Sequence, residues 1–141
     1  MGKYSAMATS TVKYLGGLRT EAVHLESGTT IITDAPKDNQ GTGAAFSPTD
    51  LMATSLANCM LTIMGIVARR DNIKIEGTQA EVTKVMYSEP RRVGEIHVSL
   101  TLPPNNFSDK EKKILEHAAH TCPVAKSIHS DIKQVINFIY L

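Results

Sequence analysis

The chain has 141 residues, 42% of them hydrophobic and 5% aromatic, and its 15 basic residues against 14 acidic ones leave a formal charge of +1. That length suits a single domain (1–141) burying roughly 68–70% of the surface its unfolded chain exposes, without disulfide or metal staples. Near-neutrality and the lack of Trp exclude nucleic acid and anionic membranes as partners held by charge, and leave no aromatic surface for stacking bases.

The stretch MGKYSAMATSTVKYLGG holds no apolar run of signal-peptide length, so the reducing cytoplasm is the expected compartment. TSTVKYLG (9–16) alternates, Gly16-Gly17 signals a turn, and RTEAVHLES (19–27) and TTIITD (29–34) follow around Ser27-Gly28, which predicts a three-stranded antiparallel meander. Residues 35–47 have no period and form a loop. Ser47-Pro48-Thr49-Asp50 starts a helix: Ser47 caps, Pro48 suits the first position, and Asp50 completes an S-x-x-D box. The helix that follows is apolar on nearly every face, so it should be enclosed on all sides, by two sheets or by a second protomer. Eighteen uncharged residues lie between Asp50 and Arg69, at the lower edge of a membrane span. Thr54, Ser55, Asn58, Thr62 and Gly65 dilute them and no Trp or Tyr flanks them, so a buried helix is expected instead.

Alternation returns in IEGTQAEVTKVMY (75–87) and RVGEIHVSLTL (92–102), two strands ended by Pro103-Pro104. SDKEKKILEHAAH (108–120) opens with a Ser108/Glu111 capping box and buries Ile114, Leu115, Ala118 and Ala119. Thr121-Cys122-Pro123 interrupts this helix, PVAKSIHS begins a shorter one, and KQVINFIYL closes the chain as a strand. The order β-β-β-α-β-β-α-α-β describes an α+β fold.

Cys59 and Cys122 lie 63 positions apart, neither a CxxC redox pair nor a zinc-finger spacing. Cys59 sits three turns into the long helix, where the macrodipole no longer favours a thiolate. It reads locally as a small buried hydrophobe, and its reactivity would require a cation brought from elsewhere. Cys122, just before Pro123 at a helix start, is by local electrostatics the better thiolate. His117 and His120 share a helical face near Cys122, and with Cys59 would make a metal site, but the spacing lacks a paired-ligand signature and no metal is expected. His24, His97 and His129 read as solvated. Arg69 and Arg70 counter the helix dipole, whereas Arg19, at a strand start, can point outward or reach across a cleft. No nucleotide-binding, nucleophile-elbow or zinc-protease motif is present.

Together, FSPTDLMATSLANCMLTIMG and, sixty residues on, HTCPVAKSIH resemble the osmotically inducible protein C and organic hydroperoxide resistance (OsmC/Ohr) family, and the element order extends the likeness over essentially the whole chain. The resemblance implies an intertwined homodimer with two sheets around two central helices. It also implies a peroxidase of the oxidative stress response, cofactor-free and reducing organic hydroperoxides, with an external thiol reductant such as a dihydrolipoyl group. In it, Cys59 attacks, Cys122 resolves, and an Arg from the N-terminal strands assists, for which Arg19 is the candidate. Met52, Leu56, Met60 and Ile63 would supply an apolar pocket. One departure from the family pattern is Thr49, where a Glu is expected after the helix-start Pro. The rival expectation is a non-catalytic protein using the same dimer cleft to bind a small molecule.

Overall fold

The computed structural model describes residues 7–141, and its internal contacts gather into two compact units, one reaching to Leu51 and one running from Met52 to Leu141. In the first, β1 (Ser10–Gly16), β2 (Arg19–His24) and β3 (Thr30–Asp34) form the expected antiparallel meander in the order β1-β2-β3. Gly16 and Gly17 turn the chain with φ of 85° and 61°, a region that glycine enters without the steric cost of a Cβ. The loop after β3 holds one short 3-10 turn, Lys37–Asn39, and folds back on itself: the amides of Asn39 and Gly41 both donate to the Pro36 carbonyl, at 3.0 and 2.9 Å. Gly41 lies so close to the Ala35 backbone that no Cβ fits there.

The long helix α1 (Pro48–Arg70) starts as Ser-Pro-x-Asp predicts. Ser47 Oγ accepts from the Asp50 amide at 3.0 Å, and the Asp50 carboxylate accepts from the Ser47 amide at 2.9 Å. Two donors left over at the helix start are thereby satisfied reciprocally.

In the second unit, β4 (Gln79–Tyr87), β5 (Arg92–Leu102) and β6 (Lys133–Tyr140) form a sheet in that order, β4 antiparallel and β6 parallel to β5. A parallel neighbour demands a crossover, which α2 (Asp109–His120) and α3 (Pro123–Ser127) supply. β4 begins four residues later than the alternation suggests. Ile75 is buried as the anchor of a turn whose closing bond runs from the Thr78 amide to the Ile75 carbonyl at 3.0 Å, with Gly77 at φ 92°. The third helix likewise stops at Ser127, because Ile128 is already extended (ψ 156°).

Every second residue of β5 from Ile96 to Leu102 is fully buried. These side chains share one core with Leu115, Ala118 and Ala119 of α2 and with Ala53, Leu56, Ala57, Met60, Met64 and Ala68 of α1. Burying each of the larger aliphatic groups contributes about 1.5–3 kcal/mol. The α1 positions recur at three and four, as a helix seated on a sheet requires. Within the single chain α1 is covered on one face only: Ile63 and Val67 are half-buried, and Ile66 is 59% exposed. By length and composition α1 is apolar enough to cross a membrane, with mean hydropathy 1.8. Its buried face nevertheless belongs to the same core as the second sheet.

Candidate functional site

Packing of α1 against the α2–α3 junction closes the 63 positions between the cysteines. Both are free thiols, Cys59 half-buried in mid-helix and Cys122 fully buried as the cap of α3. The two thiols are near enough that Cys59 bears directly on the ionisation of Cys122. Pro123 holds the first helical position of α3, so the next amide, Val124 N–H, is free to point away from the helix, and it donates to Cys59 Sγ at 3.5 Å.

Local sequence favours an anion at Cys122, and its burial in the structure works against that. Burial pushes the Cys122 thiol up, and the adjacent Cys59 thiol pushes it further, against the opposing effect of the Ala125 and Val124 amides. Desolvation wins because the charged form has lost its water. Cys122 is therefore held as a protonated thiol, while Cys59 retains access and an amide donor.

The expected apolar surround is redistributed. Leu56 and Met60 have no exposed surface and fill the core. Met52 and Ile63 are half-buried, and Ile63 lines a groove of about 380 Å³ between α1 and α2 with Val67, Ile114, Ala118, His117 and Thr121. Neither cysteine lines this groove, although Ile63 is one helical turn beyond Cys59 and Thr121 immediately precedes Cys122. Arg70 and Lys113 complete its lining. A larger hollow of about 740 Å³ at the end of α1, lined by Gly65, Ile66, Arg69 and residues 72–78, includes neither cysteine.

Among the described residues, no three His, Cys, Asp or Glu side chains converge as a metal site would require. His120 instead packs edge-on against Phe138, and His117 faces the groove. His97 is half-buried with its Nε2 2.7 Å from Glu95 rather than solvated. Arg19 lies in the first unit, its guanidinium engaged by Asp34.

The family model of OsmC-like proteins matches residues 41–137. Comparison with curated proteins gives no match. Among solved structures, a protein of Psychrobacter arcticus 273-4, described provisionally as an osmotic stress induced and detoxification response protein, is 59% identical, with a TM-score of 0.90 over 96% of this chain and 98% of its own. An OsmC like protein of Mycoplasma pneumoniae shares 22% identity at TM-score 0.79, covering 99% of this chain and 98% of that one. An organic hydroperoxide resistance protein OsmC of Legionella pneumophila shares 21% at 0.70, covering 96% and 99%. At those lower identities the likeness is one of fold. With the family model spanning both cysteines and most of the chain, this protein belongs to the OsmC-like family.

Proposed function

We propose that this protein reduces organic hydroperoxides through Cys59 and Cys122, and the observation that carries the proposal is the thiol pair itself. One member is accessible and amide-bonded, and its neighbour is buried and held protonated. The Cys59 thiolate attacks the distal oxygen of R–O–O–H and the O–O bond breaks. The alkoxide leaves, taking a proton as the alcohol, and Cys59 becomes a sulfenic acid. Cys122 sulfur then displaces that hydroxyl, releasing water and forming a disulfide. A dithiol reductant, for which a dihydrolipoyl group is the candidate, restores both thiols by exchange. The groove beside Ile63 and Val67 suits an alkyl or aryl substituent better than hydrogen peroxide.

The attacking sulfur must be a thiolate, and mid-helix it has no dipole to help it. Arg19 is proposed as the cation that stabilises it. The working unit is proposed to be a homodimer in a reducing cytoplasm. Val12, Tyr14, Ile31 and Ile32 on the first sheet and Ile66 on α1 are all large, apolar and exposed, as surfaces that another protomer covers would be.

Stopped-flow consumption of cumene hydroperoxide tests the chemistry. Wild type should react rapidly and form a Cys59–Cys122 disulfide with one equivalent, and Cys59→Ser should be inert. Equal, slow reaction of both would sink the proposal in favour of a binding protein, whose signature is a small molecule retained through purification and visible by native mass spectrometry.

A further inference from the structure

Arg19 and Asp34 face each other directly across β2 and β3, and their side chains meet edge to edge. Arg19 Nε donates to Asp34 Oδ1 at 2.8 Å and Nη2 donates to Oδ2 at 2.9 Å. Two parallel bonds fix the plane of the guanidinium as well as its position. The pair uses the Nε and Nη2 edge, which leaves the Nη1 edge outside it. The two side chains are unequally placed: Asp34 is 5% exposed and Arg19 42%. The acid is thus built into the unit, and the base projects from it.

Asp34 is anchored from the side of the helix start. Its amide donates to the Phe46 carbonyl at 3.1 Å, and the next amide, of Ala35, donates to the Leu18 carbonyl at 3.2 Å. Phe46 directly precedes the capping Ser47, so the strand end carrying Asp34, the turn carrying Arg19 and the entry to α1 are tied together within one unit. The hydrogen bonds from Arg19 hold the Asp34 carboxyl below the usual carboxylate range, which keeps the pair ionic at neutral pH.

We infer that Asp34 is a positioning residue that orients the Arg19 guanidinium for its work on the reacting sulfur and peroxide. This rests on the role given to Arg19 above. An unsupported arginine on a strand end samples many rotamers, and a guanidinium that must meet a developing charge gains from having its plane set in advance.

The test uses the full-length protein, with two readouts: cumene hydroperoxide consumption, and the pH profile of Cys59 alkylation by iodoacetamide. Asp34→Asn should slow peroxide consumption at least about tenfold and move the alkylation profile to higher pH, with Asp34→Glu recovering part of both. In an Arg19→Ala background, Asp34→Asn should change neither, because it acts through the missing arginine. Arg19→Lys keeps the charge but not the two-bond geometry and should reproduce the Asp34→Asn loss, which covers the case where Asp34→Asn does not fold. Wild-type behaviour of Asp34→Asn or Arg19→Lys beside a slow Arg19→Ala overturns the inference and leaves the peroxidase proposal standing. A wild-type rate in Arg19→Ala removes the role of Arg19, and this inference with it.

Discussion

β1 is exposed along all seven of its residues, whereas β5 buries every second side chain from Ile96 to Leu102. Both belong to three-stranded sheets, and both lie beside an antiparallel partner. The difference is in what their apolar faces meet. β5 has α1 and α2 in the same core. In the first sheet, Val12, Ala22 and Ile31 form one cross-strand row, and Val12 and Ile31 remain 65% and 47% exposed. Alternation in sequence therefore says which residues share a face. It does not say what covers that face, and the two sheets answer that question differently.

The largest effect should come from the closed sheet. Leu100→Ala deletes most of a fully buried side chain and is expected to cost about 2–5 kcal/mol, by the same amount at every protein concentration, when urea unfolding curves are compared. The open sheet should respond in assembly rather than in folding. Val12→Lys with Ile31→Lys is expected to leave the far-UV CD spectrum intact and to shift sedimentation from a dimer mass to a monomer mass. Wild-type protein sedimenting as a monomer at micromolar concentration would remove the proposed homodimer, and the contrast would then concern an unused surface.

How legible these features are in the sequence depends on their range. Ser47-Pro48-Thr49-Asp50 is a local signal, and its capping bonds appear as written. The Ser108/Glu111 box does too, and β5 keeps its bounds because period 2 runs through eleven residues. What escapes needs long-range packing. The parallel pairing of β6 with β5, the division of Leu56 and Met60 from Ile63, and the desolvation of Cys122 depend on how α1 meets α2 and the second sheet. Asp34 is invisible as the partner of Arg19 because only the β2–β3 register brings together residues fifteen positions apart. The cysteine motifs are legible in the sequence, whereas the burial that disfavours a Cys122 thiolate is not.

A smaller effect separates the sheets by pH. The Tyr140 hydroxyl on β6 donates to Glu116 Oε2 at 2.7 Å, and burial, followed by that carboxylate, pushes its pKa upward. The folded state thus keeps a proton that the unfolded chain loses near pH 10. Unfolded protein binds fewer protons there, so this contribution is complete below about pH 10 and falls as pH rises above it. Tyr140→Phe should lower stability by about 1 kcal/mol at pH 8 and flatten the loss between pH 8 and pH 11 in urea unfolding. Tyr14→Phe on the exposed first sheet, where the hydroxyl accepts only a 3.3 Å bond from the Leu18 amide, should change stability by no more than about 0.5 kcal/mol.

Effects of similar, modest size are expected at two helix starts with the same reciprocal bonding, one leaving the open unit and one inside the closed one. Ser47 is 1% exposed, and its hydroxyl also lies 3.2 Å from that of Thr49. Ser108 is exposed. Deleting either hydroxyl orphans one helix amide, Asp50 N–H or Glu111 N–H. At position 108 water can replace the lost acceptor, and Ser108→Ala should cost about 0.5–1 kcal/mol. At position 47 it cannot, because the site is closed, so Ser47→Ala should cost more, about 1–2 kcal/mol. Equal costs in urea unfolding would mean that solvent reaches the first turn of α1, and that the burial of Ser47 does not isolate its cap.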